Sequence, residues 1–356
     1  MAKLTSLALL VSALASGAFS SPAPHSEANH DVIHKRDPQR AQAMTVTVTK
    51  TVTSASVSTV TKCSTGTSSS RPQTSTTTGR TTSKTSSTPA APTSTGEPTY
   101  DPGTCTWKVH GAGYFANKKE FTFFEDGLPD GLYASNYVVE DTYAGAPYNH
   151  VFEGQNVFSD GDFLNLKVPG VSNPRPNTGY AISSAEIVTT ENNILYASVR
   201  TNAIFSTVPG TCHGIFFYLD DSQECDIEYL TDPNSQSNNI DTQSSQGAPI
   251  PLWYSNQAIK SGTPATQATG PAPYDVTAVH EYRIDWTKDF TAFYLDGQLQ
   301  KKYTTNIPNK PGSWIWNNWA NGDYGWSAGP PTQDNVFMIQ NITMYYNTAN
   351  DSNGCN

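Results

Sequence analysis

Three carboxylates alternate with uncharged residues in the segment ECDIEYL. Glu224, Asp226 and Glu228 would share one face of a β-strand, because successive side chains on a strand point to opposite faces. Crowding like charges on one face is costly and raises the proton affinity of some of them. A site that needs one ionised and one protonated carboxyl uses this arrangement. The spacing therefore favours catalytic carboxylates over the alternative, a solvated strand face.

The sequence around these carboxylates has the period-two pattern of β-strands. Between residues 100 and 350, clusters of Gly, Pro, Asn and Asp interrupt the pattern at intervals of roughly ten residues, and no long amphipathic helix is predicted. Asp296-Gly297 is typical of a hairpin turn between Phe293 and Leu299. Many short strands with tight turns predict an antiparallel β-sandwich. The candidate strands are residues 163–168, 180–188, 194–204, 214–219, 224–230, 281–286, 291–295 and 335–346.

Only the part of the chain from Tyr100 onward has the composition of a packed domain. It contains 38 of the 39 aromatic residues, and Phe19 is the single one before it. From Thr45 to Thr99, 32 of 55 residues are Ser or Thr. Burial cannot offset the ordering entropy of such a segment, so we predict a disordered stalk or linker that carries O-linked sugar.

The N-terminus has the features of a targeting segment. Lys3 precedes the apolar stretch LALLVSALA, which is too short to span a bilayer, and small residues follow it before a cleavage site. Lys35-Arg36 is either a pro-peptide processing signal or two charges on a disordered tail. The polar C-terminus predicts no membrane anchor. The expected divisions are a signal peptide (1–20), a pro-peptide (21–36), the stalk (37–102), a catalytic β-sandwich domain (103–350) and a tail (351–356).

The charge is divided between the two parts of the chain. Residues 1–99 hold nine basic and four acidic side chains, whereas residues 100–356 hold 12 and 27, a balance of -15. Such an acidic domain would repel phosphate backbones and anionic membrane surfaces, so we expect neither as a partner. We expect a neutral substrate. We also expect the protein to be a secreted, extracellular monomer that associates with the cell wall.

Secretion implies an oxidising compartment, in which the five cysteines would not all stay reduced. Cys105 and Cys355 bracket the aromatic-rich region and would tie its ends together. Cys212 and Cys225 flank a predicted hairpin and are the other candidate pair, although an unstrained register sets Cys225 opposite Tyr218.

Two sequons predict N-glycosylation, at Asn341 and Asn350. The histidines are scattered without ligand spacing, and no Gly-rich phosphate loop is present. We therefore expect neither a metal nor a cofactor.

Glu-x-Asp-x-Glu on a strand resembles the active-site signature of family 16 glycoside hydrolases. HEYRIDWTKDFTAFYLDGQ at residues 280–298 and WIWNNWANGD at residues 314–323 are similar to two further motifs of that family, in the same order. The resemblance covers roughly Cys105 to Tyr346. It implies an all-β, concanavalin A-like jelly-roll β-sandwich of two curved antiparallel sheets with a cleft on the concave face.

The resemblance implies that Glu224 is the nucleophile and that Glu228 is the acid/base. It implies that Asp226 holds Glu224 in place and tunes its protonation. A retaining glycosidase needs two carboxyl groups about 5–5.5 Å apart. Four residues of ideal strand separate the Cα atoms by about 13 Å, so both glutamate side chains must lean inward over a curved strand.

The Asn-x-Trp step at Asn317 and Trp319 resembles the family's sugar-binding strand, and both side chains would share a face. His280 is either a cleft residue or a satisfied histidine of the sheet. Further candidates to stack on sugar rings, each with an alternative place in the core, are Trp253, Tyr254, Trp314, Trp316 and Trp326.

Three functions are consistent with the resemblance. The first is a retaining endo-β-glucanase that hydrolyses β-1,3 or mixed β-1,3/1,4 glucan through a covalent intermediate. The second is a cell-wall transglycosylase that passes the same intermediate to a sugar. The third is an inactive glycan-binding module, which the complete set of three acids disfavours.

Overall fold

The computed structural model describes residues 96–123, 127–140, 145–241 and 250–351. The predicted signal peptide, the pro-peptide and nearly all of the stalk lie outside these residues. So does Cys355, which means that its pairing with Cys105 stays a prediction. No helix within the described ranges is long and apolar enough to cross a membrane.

β-Strands make up about half of the described chain, as the alternating sequence pattern predicts. A 3₁₀ helix covers Gly154–Asn156, and one α-helix, α1, covers Gln236–Asp241. The strands are β1 (Thr99–Asp101), β2 (Thr106–Val109), β3 (Gly113–Phe115), β4 (Asn117–Thr122), β5 (Leu132–Ala134), β6 (Tyr137–Val139), β7 (Asn149–Phe152), β8 (Val157–Ser159), β9 (Leu164–Val168), β10 (Ala181–Thr189), β11 (Ile194–Ile204), β12 (Cys212–Tyr218), β13 (Glu224–Leu230), β14 (Leu252–Asn256), β15 (Thr266–Gly270), β16 (His280–Trp286), β17 (Thr291–Leu295), β18 (Gln298–Tyr303), β19 (Ser313–Trp319) and β20 (Asn335–Thr348).

Two large sheets form a sandwich. The nine-stranded sheet has the order β15-β14-β13-β12-β19-β10-β7-β6, with β5 also paired to β10. The eight-stranded sheet has the order β18-β17-β16-β11-β20-β9-β8, with β4 also paired to β20. Strands β1, β2 and β3 form a separate small sheet. All pairs are antiparallel except β10 with β7, so the predicted jelly-roll sandwich is confirmed.

The predicted hairpin turn is present. Leu295 pairs with Gln298, and Asp296 and Gly297 between them have positive φ angles of 49° and 72°. Two central residues with positive φ define the type I′ turn, whose twist matches that of the flanking strands. Glycine adopts this conformation without a steric penalty, which is why the Asp-Gly pair identified the turn from sequence.

The main core lies between the two large sheets and contains several indole rings. Trp286, Trp314 and Trp316 are all fully buried there. Trp316 Nε1 donates a hydrogen bond to Thr201 Oγ1 at 2.9 Å, and Trp286 Nε1 donates to the Pro308 carbonyl at 2.8 Å. Burial of each ring removes about 150–250 Å² from water. Trp314 and Trp316, which the sequence left open between core and cleft, are therefore core residues.

A buried ion pair lies on the outer face of the eight-stranded sheet. Arg283 Nε donates to Asp285 Oδ1 at 2.7 Å, and Arg283 Nη2 contacts Asp285 Oδ2. Ser198 Oγ, on the neighbouring strand β11, also donates to Asp285 Oδ1, at 2.7 Å. The Arg283 and Asp285 side chains are 3% and 0% exposed, so water could not compensate for the loss of either partner.

We expect Asp285→Ala to lower the free energy of unfolding by about 3–5 kcal/mol, because it leaves the Arg283 guanidinium buried without its counter-charge. Urea denaturation would measure the loss. Asp289→Ala is the matched control, because the Lys288 and Asp289 side chains of that pair are 73% and 69% exposed and the substitution should change stability little. Equal effects of the two substitutions would contradict the prediction.

Candidate active site

Strand β13 places Glu224, Asp226 and Glu228 on the face of the nine-stranded sheet that points away from the main core, here called the acid face. Their exposed fractions are 1%, 2% and 3%. The intervening residues Cys225 and Ile227 pack into the core between the sheets. The period-two alternation of the sequence therefore separates the carboxylates from the apolar side chains, as predicted.

A row of residues crosses the acid face at right angles to the strands. Glu228 is opposite Gly214 on β12, Gly214 is opposite Asn317 on β19, and Asn317 is opposite Glu186 on β10. A Cβ atom at Gly214 would lie 2.6 Å from Asn317 Oδ1. Any larger residue would displace the Asn317 amide, so glycine leaves the gap in the row between Glu228 and Asn317.

Two donors converge on one oxygen of Glu228. Trp326 Nε1 lies 3.2 Å and Cys212 Sγ 3.3 Å from Glu228 Oε1. Burial and the neighbouring Glu228 charge raise the pKa of the Cys212 thiol, so it stays protonated and able to donate. The contacts fix the orientation of the Glu228 carboxylate.

The loop after β19 brings Trp326 to this position. Gly325 N donates to Asp323 Oδ1 at 2.7 Å, and Trp326 N donates to the Asp323 carbonyl at 3.0 Å. These short-range bonds close a tight turn whose last residue is the tryptophan. The turn therefore positions the indole above the end of β13.

Aromatic rings surround Glu228 on the acid face. Trp253 on β14 is directly opposite Glu228, and its ring centroid lies 5.1 Å from that of Trp326. The ring of Trp319 lies 5.0 Å from that of His150 on β7, at an angle of 31°. The structure thus brings the predicted substrate residues Trp253, Trp319 and Trp326, together with Asn317, to the face that carries the acids.

Comparisons with known proteins agree with this geometry. The family model described as "Glycosyl hydrolases family 16" matches residues 145–335, which is more than half of the chain. The chain belongs to glycoside hydrolase family 16. It is therefore a glycoside hydrolase by family, and its sandwich is the fold that the resemblance implied.

The relatives of this family 16 chain are distant. It is 26% identical over 198 residues to a β-glucanase of Paenibacillus polymyxa, covering 52% of this chain and 71% of that protein. It is 38% identical over 58 residues to a Crh-like protein of Arthroderma benhamiae, a match that spans only 12% of that protein's length and 15% of this chain. The catalytic domain of an endo-1,3-β-glucanase (laminarinase) from Thermotoga petrophila superposes with a TM-score of 0.50 at 16% identity, covering 65% of this chain and 97% of that domain.

Two of the residues predicted to bind substrate lie elsewhere in this family 16 domain. Tyr254 is fully buried in the main core, 5.5 Å from the ring of Phe293, and burial raises its pKa. It follows Trp253 directly on β14, so the two side chains point to opposite faces and only Trp253 reaches the acids. The assignment of Tyr254 to the cleft is corrected to a core role.

His280 belongs to the other sheet. Its Nδ1 lies 2.8 Å from Asp296 Oδ2 and its Nε2 lies 2.9 Å from the Asp275 carbonyl. These contacts join the start of β16 to the β17–β18 turn and to the preceding loop. The sequence left His280 open between a cleft residue and a histidine of the sheet with satisfied hydrogen bonds. The structure shows the second, so the assignment of His280 to substrate binding is corrected.

The proposed Cys212–Cys225 disulfide is also corrected. Both cysteines are buried and reduced. Cys212 is opposite Leu230 and Cys225 is opposite Phe217 in the β12–β13 register. This register places Cys212 on the acid face and Cys225 on the core face, so the two sulfur atoms lie on opposite sides of the sheet.

A fourth carboxylate on the acid face was not predicted. Glu186 on β10 is 1% exposed and accepts hydrogen bonds from Ser135 Oγ at 2.8 Å and Tyr137 OH at 3.1 Å. Asn317 Nδ2 donates to its other oxygen at 3.4 Å. The only sequence signal was a single glutamate in an otherwise uncharged strand. Among the described residues, no group of His, Cys, Asp and Glu is arranged to hold a metal ion.

Proposed function

We propose that the chain is a secreted, retaining endo-β-glucanase that cleaves β-1,3 or mixed β-1,3/1,4 glucan. The observation that supports it most is the single strand that presents three carboxylates on the acid face of a family 16 sandwich. The similarity to the Paenibacillus β-glucanase supports the substrate class. Secretion rests on the N-terminal sequence alone.

The first half of the proposed reaction uses both glutamates. Glu224 attacks the anomeric carbon and forms a glycosyl ester as the glycosidic bond breaks. Glu228 gives its proton to the departing sugar oxygen. The bonds from Trp326 and Cys212 to Oε1 keep the Glu228 carboxyl oriented for this transfer.

The second half regenerates the enzyme. Glu228, now ionised, removes a proton from water, and the resulting oxygen attacks the anomeric carbon and displaces Glu224. Two inversions leave the product with the configuration of the substrate. Asp226 lies between the two glutamates on β13 and tunes Glu224 by charge and hydrogen bonding.

Hydrolysis of laminarin, lichenan and barley glucan by the purified protein tests the proposal. We expect new reducing ends from at least one of them and a loss of nearly all activity in Glu224→Gln, which keeps the side-chain shape without the charge. Absence of reducing ends from all three glucans would contradict an endo-β-glucanase.

Transglycosylation is the second candidate, and the aromatic rings beside the acids favour it. Trp253, Trp319 and Trp326 form one cluster on the acid face, and aromatic rings are the side chains that stack on sugars. A sugar hydroxyl bound on the aromatic rings would compete for the same intermediate. A labelled acceptor oligosaccharide distinguishes the reactions, because products longer than the donor cannot arise from hydrolysis alone.

A further inference from the structure

A groove of about 680 Å³ lies on the outer face of the eight-stranded sheet, on the opposite side of the sandwich from the acid face. We call it the outer groove. Strands β11, β16 and β20 form its floor, and the small sheet of β1, β2 and β3 contributes Trp107 to its wall. Its volume falls in the range of ligand-binding pockets, about 300–1,000 Å³.

Most of the charged side chains in the outer groove already have partners. Arg283 is bound by Asp285, as described above. Lys118 Nζ lies 2.7 Å from Glu120 Oε1, and Asp296 is bound by His280. These groups therefore need no ligand.

The exceptions are Arg200 and Glu281, on the floor strands β11 and β16, and Glu97, whose side chain is exposed to solvent. Arg200 Nε is buried without a hydrogen-bond partner among the described residues, and the guanidinium lies 5.6 Å from the ring of Tyr345. No described side chain donates a hydrogen bond to the Glu281 carboxylate, and burial raises its pKa, opposed by the charges of Arg200 and Arg283. Burial of Arg200 Nε in this condition costs free energy unless a ligand supplies the missing bond, whereas Glu281 is half-buried and its carboxylate is open to a ligand.

The strand register makes the two side chains diagonal neighbours, because Arg200 is opposite Arg283 and Glu281 is opposite Asn202. The Arg200 charge opposes the rise in the pKa of Glu281, but the two side chains do not form an ion pair in the described structure. One donor and one acceptor thus face the same groove, with the Asn202 amide beside them.

A neutral oligosaccharide matches this chemistry. Its hydroxyl groups both donate and accept, so one sugar unit can satisfy the Glu281 carboxylate and the Arg200 guanidinium together. The opposite charges of the pair cancel, which disfavours a phosphate or another ion. The half-buried ring of Trp107 supplies an apolar wall for sugar C–H groups.

We propose that the outer groove is a second, non-catalytic glycan-binding site that holds a neutral β-glucan segment through Arg200 and Glu281. The choice of β-glucan rests on the proposed function; the presence of a site does not. A chain bound there lies on the far side of the sandwich from the acids, so it would anchor the enzyme to a polysaccharide without being cut.

Isothermal titration of the full chain with a β-1,3-linked glucose hexasaccharide tests the proposal. The Glu224→Gln protein is used so that the ligand is not cleaved, and two binding events per chain are expected. Adding Arg200→Ala and Glu281→Gln should leave one event, because loss of about 1.4 kcal/mol or more weakens a site at least about tenfold. Adding Lys288→Ala and Asp289→Asn, which also removes one cation and one anion but outside the groove, should leave both events.

A single binding event that Arg200→Ala and Glu281→Gln leave unchanged would overturn the outer groove as a site for this glycan. If the Arg200 variant is unfolded by its melting curve, Glu281→Gln alone, which is isosteric, should weaken the second event at least about tenfold, and no weakening would overturn the proposal. Failure of the proposed function looks different, because wild-type protein would then release no reducing ends whether or not a second event is seen.

Discussion

Glu224→Ala protein is expected to convert an activated β-glycoside and azide into the α-glycosyl azide. Removal of the proposed nucleophile should lower the hydrolytic rate by about 10⁴-fold or more. The space left by the carboxylate admits azide on the face opposite the leaving group, so one displacement inverts the anomeric carbon. NMR of the product determines its configuration.

Glu228→Ala should give the other anomer. With an activated leaving group, the ester on Glu224 still forms without an acid, and azide then attacks it from the opposite face. Two inversions yield the β-azide, with net retention. Loss of the general acid should cost about 10²–10⁴-fold on a natural glucan and much less on the activated substrate, which needs no proton.

The pair of products assigns the two roles. If the anomers were exchanged between the variants, Glu228 would be the nucleophile and Glu224 the acid/base. If neither variant responded to azide, the paired-carboxyl mechanism itself would be contradicted. Asp226→Asn is the matched control on the same strand, because it should slow the reaction without changing the product configuration.

The local sequence pattern was sufficient to predict which side chains of β13 share the acid face. It was not sufficient to predict which residues of the neighbouring strands join them there. Alternation along ECDIEYL placed the three carboxylates on one side of β13, and the structure bears this out. Strand ends were also predicted correctly for Ile194–Ile204 and Thr291–Leu295. In each case the information lies within about ten residues of chain.

The missed and misplaced residues depend on pairing between distant segments. Glu186 joins the site because β10 pairs with β19, which lies more than a hundred residues later in the chain. Tyr254 was misplaced because alternation shows that Trp253 and Tyr254 face opposite ways but does not show which way is inward. The cysteines were paired by their separation along the hairpin, whereas the register puts Cys212 and Cys225 on opposite faces.

A histidine on the strand next to β13 should make the domain sensitive to acid. His213 on β12 is fully buried between Phe205 and Phe337 and is opposite Tyr229 of β13. Its Nε2 lies 2.9 Å from Asn335 Oδ1. Burial lowers the pKa of His213 from 6.5 to about 3.

The sign of the effect follows from proton binding in the two states. Below pH 6.5 the unfolded chain protonates this histidine, whereas the folded chain does not until about pH 3. Unfolding therefore takes up a proton in that interval, and the free energy of unfolding falls by up to about 1.4 kcal/mol for each pH unit of acidification. The contribution of neutral His213 to the free energy of unfolding is complete above pH 6.5 and is lost as the pH falls toward 3.

His213→Gln, which retains an amide for Asn335, should remove this one-proton dependence. Urea unfolding at several values between pH 6 and pH 4 would show a shallower fall of stability in the variant than in wild type. His110→Gln, at an exposed histidine, should leave the slope unchanged. Parallel slopes for wild type and His213→Gln would contradict the prediction.

The same variant also tests the pH dependence of activity. Because β12 pairs along the whole of β13, protonation of His213 would disturb the strand that carries the acids. An acid loss of activity that moves to lower pH in His213→Gln would come from unfolding of this strand pair, whereas one that stays in place would come from the titration of the catalytic carboxylates.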